Sequence, residues 1–241
     1  MRGIWRGNDR RTGWLSGICM TLFAALLGSI AGCGEAEVPI LAQSESPAGE
    51  LADLSAAYTV RLDSERSHIE DFRLEQGEQA VHIVTGPAGI AFQAEDQVRS
   101  GDFRVEATFV QFDAPVGYRE AYGIFVGGRD LVSPDQEYTY LLVRPTGDYL
   151  VKRRIGEILE TLVDWTAHEA VQSVANEGDE PQNTLTVEVV RGETRFGVNG
   201  SVVHTMPASR ARPYGVAGIR ANHQLDIRGA GWSLTTPDSD T

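Results

Sequence analysis

The side chains in this sequence that could do chemistry are spread thin. Glycosidic hydrolysis asks for two carboxyls, about 5–5.5 Å apart when configuration is retained. Glu106 and Glu188 each stand alone among apolar and β-branched neighbours, while Asp130 and Glu137 flank one segment from which they could converge. Glu65, Glu70 and Asp71 have the setting of ordinary solvated acids. His168-Glu169 begins a His-Glu-x-x-His zinc motif, but Gln172 stands where the second histidine must be. The five histidines have no ligand spacing, and no metal ligand is assigned. Asn176 to Glu180, "NEGDE", offers the hard oxygens that Ca²⁺ takes, although such acidic loops are more often simply solvated. No Gly-x-Ser-x-Gly elbow, phosphate-binding glycine loop or nucleotide fingerprint occurs. No catalytic residue follows from these patterns.

Recognition chemistry has better material. A pyranose presents an apolar face to flat aromatic rings and hydroxyls to planar guanidinium or carboxylate groups. In "YTYLLVR", alternation puts Tyr138, Tyr140, Leu142 and Arg144 on one side and Leu141 and Val143 on the other. In "DYLVKRR", Tyr149, Val151 and Arg153 share a side opposite Leu150, Lys152 and Arg154. Tyr140, Arg144, Tyr149 and Arg153 are therefore a candidate ligand patch, with Arg129 and Trp165 at its rim. The plainer account packs the tyrosines at a sheet margin and pairs the arginines with surplus acids.

The elements that must carry these groups are strands. From Tyr58 onward, short runs rich in β-branched and aromatic residues recur between turn signals. Phe103, Val105, Ala107 and Phe109 alternate against Arg104, Glu106, Thr108 and Val110, and Leu185, Val187 and Val189 against Thr184, Thr186 and Glu188. That is the period of half-buried antiparallel strands. Asn199-Gly200 can place two successive residues at positive φ and so predicts a type I′ hairpin. Asn199-Gly200-Ser201 also spells a glycosylation acceptor, which the turn reading displaces. Tight links are expected at Pro145 to Asp148, Ile155 to Glu157 and Gly192. The one helix the sequence allows is short, near Ala167 to Val174. Many short strands without a long helix predict an all-β antiparallel sandwich or jelly roll.

The N-terminus is an address. Arg2, Arg6, Arg10 and Arg11 precede a mostly apolar run from Leu15 to Gly32, which ends in Ile30-Ala31-Gly32-Cys33. This order is that of a secretory signal peptide. Its ending resembles the lipobox of bacterial lipoproteins, which implies a diacylglycerol thioether on Cys33, cleavage before it and acylation of the new amino group. Each buried CH₂ of such chains contributes roughly 0.8 kcal/mol to anchoring. An uncleaved anchor helix is the alternative, but the run falls short of the ~20 residues a span needs. Gly34 lacks the Asp-type inner-membrane retention signal, so the outer membrane is expected if the host has one. Cys19 would leave with the signal peptide, so no disulfide is expected in the folded part.

Four segments follow: residues 1–32 as signal peptide, 33–57 as lipidated cysteine and flexible acidic tether, 58–235 as the sandwich, and 236–241 as a disordered tail. Without residues 1–32 the chain keeps 17 basic and 33 acidic residues, a net charge of −16. Such a surface repels nucleic acid and anionic headgroups, so the expected partners are the bilayer, through the acylated Cys33, and carbohydrate.

The strand run "YGIFVGG", the Asn-x-Leu-x-Val start of "NTLTVEVV", the Phe-x-Val-Asn-Gly hairpin and "YGVAGIR" resemble the concanavalin A-like lectin/glucanase sandwiches over roughly residues 100–235. The chain is also similar to bacterial 3-keto-disaccharide hydrolase-type domains. The laminarinase-type members carry a Glu-x-Asp-x-x-Glu strand that this sequence lacks. Tyr122-Gly123-Ile124 stands where the keto-disaccharide hydrolases often have Asn-Ser-Gly. The favoured reading is a membrane-anchored, noncatalytic module for carbohydrate or an envelope polymer. The alternatives are a glycoside hydrolase or lyase, and an assembly lipoprotein that binds a protein.

Overall fold

The computed structural model describes residues 58–98 and 100–236. The signal peptide, Cys33, the tether and all but the first residue of the expected tail lie outside them. Among the described residues fourteen strands run in chain order: β1 (Thr59–Leu62), β2 (Phe72–Gln76), β3 (Ala80–Thr85), β4 (Gly89–Val98), β5 (Phe103–Gln111), β6 (Tyr122–Arg129) and β7 (Glu137–Arg144) come first. Then follow β8 (Asp148–Ile155), β9 (Ile158–Ala167), β10 (Gln182–Val190), β11 (Glu193–Val198), β12 (Ser201–Pro207), β13 (Gly215–Ala221) and β14 (Asp226–Thr235). One helical turn, α1 (Ala208–Ala211), joins β12 to β13. The strands form two antiparallel seven-stranded sheets. The first has the order β1-β4-β13-β6-β7-β8-β9 and the second β12-β11-β10-β5-β14-β3-β2.

The sandwich follows from alternation. Phe103, Val105 and Phe109 of β5 and Leu185, Val187 and Val189 of β10 face inward. They meet Ile124 and Val126 of β6 and Leu141 and Val143 of β7 in one core. Asn199 and Gly200 take φ of 49° and 81°, as the hairpin signal requires, and Arg191 and Gly192 repeat the pattern at 50° and 80°.

The expected helix near Ala167 to Val174 is absent: the segment is a turn. Side chains take two of its backbone donors instead, His168 Nδ1 accepting from the Ala170 N–H and Asn183 Oδ1 from the Gln172 N–H. Strand β2, which the sequence left unassigned, carries only Phe72 and Leu74 as apolar residues and lies at a sheet edge.

A second apolar cluster lies on the outer side of the first sheet. It joins Ile90 and Phe92, Phe125, Tyr138, Tyr140, Leu142 and Leu150. Gly218 makes room for it, since a Cβ there would stand 2.5 Å from the Phe125 ring. Leu131, from the loop between β6 and β7, packs into the same cluster. Arg61 of β1 holds that loop down by donating to the carbonyls of Leu131, at 3.0 Å, and Ser133.

Candidate functional site

The residues expected to form one ligand patch are divided between the two sides of the first sheet. Register pairs Tyr140 with Lys152, Leu142 with Leu150, Arg144 with Asp148 and Val143 with Tyr149. Tyr140 and Arg144 are therefore outward and Tyr149 and Arg153 inward. Tyr149 packs in the main core and donates its hydroxyl to the Val203 carbonyl at 2.9 Å. Arg153 is buried, donating to the Arg210 carbonyl at 2.8 Å and to Glu160 at 2.5 Å. The proposed four-residue patch does not assemble, because adjacent strands in register place Tyr140 and Tyr149 on opposite sides. Arg144 bonds Asp148 at 3.1 Å and lies over the Trp165 ring at 4.0 Å, and Arg129 is an exposed partner of Glu137.

Tyr140 itself is only 5% exposed. It belongs to a run of rings, Phe92–Phe125–Tyr138–Tyr140, with successive centroids 6.4, 5.1 and 5.7 Å apart. Burial pushes its hydroxyl up to about 12. Beneath these rings Arg220 of β13 grips Asp63 through two bonds of 2.5 Å, and Arg154 of β8 reaches the same carboxylate at 3.1 Å. Burial would raise the Asp63 carboxyl, but the hydrogen bond and charge of Arg220, aided by Arg154, win and hold it below its ordinary value. Gln136 closes the network: with its amide oxygen turned inward it accepts from Arg61 and Arg154 at 3.1–3.2 Å. The outer face of this sheet spends its aromatic and cationic groups on one another.

The sequence-named carboxylates are likewise engaged. Glu106 pairs with Arg104 at 2.5 Å, and Glu137 lies between Arg129 at 3.3 Å and Arg212 at 3.0 Å. Asp130 occupies a left-handed turn position with φ of 49°. In "NEGDE", Asp179 accepts from the N–H groups of Ala175 and Asn176 at 3.0 and 2.8 Å, which closes the loop on itself.

The open concavity is elsewhere, between the two sheets at the edge formed by β1 and β2. It has a volume of about 970 Å³. Ala107 of β5 and Ile219 of β13, each 2% exposed, face each other at its floor. A small side chain creates the space: Ala107 stands between Val105 and Phe109 in the inward series. Gly229 of β14 lines the wall beside it, and its missing Cβ lets the Phe109 ring pack against the backbone, 3.1 Å from where that Cβ would be. Just beyond, the β14 register breaks between Ala230 and Ser233. Gly231 takes φ of +63° there, and Trp232 leaves the ladder. Its indole Nε1 donates to Asp96 of β4, on the facing sheet, at 2.9 Å. Trp232 thus spans the gap between the sheets.

The walls are amphipathic. Tyr58 and Trp232 bring aromatic surface, Gln93 an amide from the first sheet, and Gln76 and Gln79 amides from the second. Gln76 Oε1 is buried with no hydrogen-bond partner. Arg228 and Glu78 bring one charge of each sign, and among the described residues Glu78 is the one carboxylate on the wall. At the margin, burial raises the Asp96 carboxyl, helped by Glu95 and opposed by the Trp232 bond. Burial and the Asp96 charge together raise the Tyr58 hydroxyl. The wall is richer in polar groups than the floor, and the volume lies within the usual range of small-molecule sites. Sequence reasoning missed this site. The available signal was "RGAGW", where Gly229, Ala230 and Gly231 interrupt a strand just before a tryptophan.

No protein-family model matches the sequence, and no curated protein matches it. Solved structures do. The carbohydrate binding module CBM66 from Bacillus subtilis aligns with a TM-score of 0.53 at 8% identity, over 75% of this chain and 96% of that one. The carbohydrate recognition domain of Emp46p aligns at 0.50 and 10% identity, over 74% of this chain and 88% of that one. At these identities the likeness is one of fold: the chain has the concanavalin A-like sandwich that its strand pattern resembled.

Proposed function

We propose that this protein is a lipid-anchored, extracytoplasmic sandwich that binds carbohydrate, or an envelope polymer built from it, in the cleft between the sheets. The observation that carries the reading is the cleft wall, where Tyr58 and Trp232 stand beside the unpartnered Gln76 amide over an apolar floor. Rings and amides so arranged suit a ligand with apolar faces and many hydroxyls. The fold shared with CBM66 and the Emp46p domain supports the same class of ligand. Binding is favoured over hydrolysis because the wall offers Glu78 without a second carboxyl to work with it.

A glycan panel tested against the full chain checks this. At least one oligosaccharide should bind, and Tyr58→Ala should weaken it about tenfold, the equivalent of 1.4 kcal/mol, while Arg144→Ala leaves it unchanged. Binding that survives Tyr58→Ala but is lost in Arg144→Ala would move the site to the outer face of the first sheet. The anchor rests on Ile30-Ala31-Gly32-Cys33. Mass spectrometry of the mature N-terminus should find an acylated Cys33; an intact Met1 or an unmodified thiol would refute it.

A further inference from the structure

Resting on the carbohydrate reading, we infer that the cleft selects 2-acetamido sugars, seating the acetamido methyl on Ala107 and Ile219 and its amide against Gln76. The argument starts from the orphan. A buried polar atom without a partner is costly, so a ligand that supplies the partner gains what the free protein lacks. Gln76 lines the cleft, and its Oε1 is such an atom, turned into the protein; a rotation of the half-buried amide presents it to a ligand. An acetamido group carries both an N–H and a C=O, so it complements the glutamine amide whichever end of that amide faces inward. Gln93, on the opposite sheet, offers a second amide across the gap.

A hydroxyl could also satisfy Gln76, and the floor decides between the two. Past the glutamine, the cleft ends on Ala107, Ile219 and the buried Val81, with no polar side chain among them. A hydroxyl driven to that depth would lose its water and find no partner, whereas a methyl group gains by burial. Ala107 contributes only a methyl of its own, which leaves the space that a second methyl takes up. The wall charges, Glu78 and Arg228, are of opposite sign and give a charged sugar no net advantage. Tyr58 and Trp232 remain at the sides for the ring that carries the acetamido group.

The test is calorimetric titration of the full chain with the tetramer of N-acetylglucosamine and with cellotetraose, its neutral counterpart without acetamido groups. The acetylated tetramer should bind at least about tenfold more tightly, the combined effect of one satisfied amide and one buried methyl. In saturation-transfer NMR its methyl resonance should show the strongest effect. Gln76→Leu, on a half-buried edge strand, should fold with a melting temperature at or above that of wild type and lose most of that preference. Equal affinity for the two tetramers, or a preference that Gln76→Leu leaves intact, would overturn the inference while the carbohydrate reading stood. Failure of every glycan on the wider panel to bind would remove both.

Discussion

The outer face of the first sheet and the cleft between the sheets are built from similar residue types and put them to opposite ends. On the outer face, Tyr138, Tyr140 and Phe125 pack on one another, and Arg220 and Arg154 share the Asp63 carboxylate beneath them. In the cleft, Tyr58 and Trp232 stand apart around about 970 Å³ of open space, and Gln76 keeps an unpartnered oxygen. A group of aromatic and cationic side chains on a sheet is thus no sign of a ligand site until its mutual contacts are known. Groups that pair with one another hold the fold, even where one atom such as Arg220 Nε is buried without a partner, whereas the Gln76 oxygen is unpartnered beside open space. The two carboxylates that serve these regions differ in the same sense: Asp63 is held below its ordinary range by its arginines, and Asp96 is raised by burial.

The largest test of this contrast is Asp63→Ala. It leaves Arg220, which is 6% exposed, without its counter-ion. Breaking a buried pair by removing one partner costs about 3–5 kcal/mol. The Asp63 side chain keeps 28% of its exposure, which places the expected loss near the lower end. For a domain of this size that is a melting temperature lower by roughly 6–12 °C, with oligosaccharide affinity unchanged. Because the folded pKa lies below the unfolded one, the stabilisation is complete above the ordinary carboxylate range near pH 4. It is lost as pH falls through the lowered value. The variant should therefore have a flatter acid limb in a plot of melting temperature against pH. A melting temperature equal to wild type, or an affinity that falls with it, would mean that the two regions are not separate in role.

How much of this could be read from the chain depended on whether a feature is local. Alternation in β5, β7 and β10 sufficed for the sandwich, because period two is written in consecutive residues such as Phe103 to Phe109. The Asn199-Gly200 turn was legible for the same reason. The grouping of Tyr140 with Tyr149 failed because register between strands is not local: it pairs Tyr149 with Val143 and turns it inward. Arg220 and Asp63 are 157 residues apart in sequence, so nothing local announces their bond. The cleft was hidden twice over. Its walls come from both ends of the domain, Tyr58 and Trp232, and its floor is opened by what Ala107 lacks. The family resemblance gave the fold, and a sandwich of this kind carries its sites wherever its side chains leave an opening.

The smallest effect, and the most discriminating in sign, is expected at Asp96. Its folded pKa is raised, so the ionised carboxylate costs stability at neutral pH. Relative to a neutral side chain, wild-type stability is regained as pH falls through the raised value toward the ordinary one. Asp96→Asn removes the charge and keeps a carbonyl oxygen to accept from Trp232 Nε1. At pH 7 it should melt about 1–2 °C above wild type, an effect kept small because solvent screens the half-exposed carboxylate, and the difference should close by pH 4. Asp96→Ala, which removes the acceptor as well, should lose that gain and shift the Trp232 emission as the indole is released. The two variants separate the charge of Asp96 from its hydrogen bond. An Asn variant less stable than wild type at pH 7 would show the carboxylate acting in the cleft as Asp63 acts on the outer face, as a paired group that holds the fold. A more stable one marks the cleft margin as a place where the protein tolerates a costly charge to keep Trp232 across the opening.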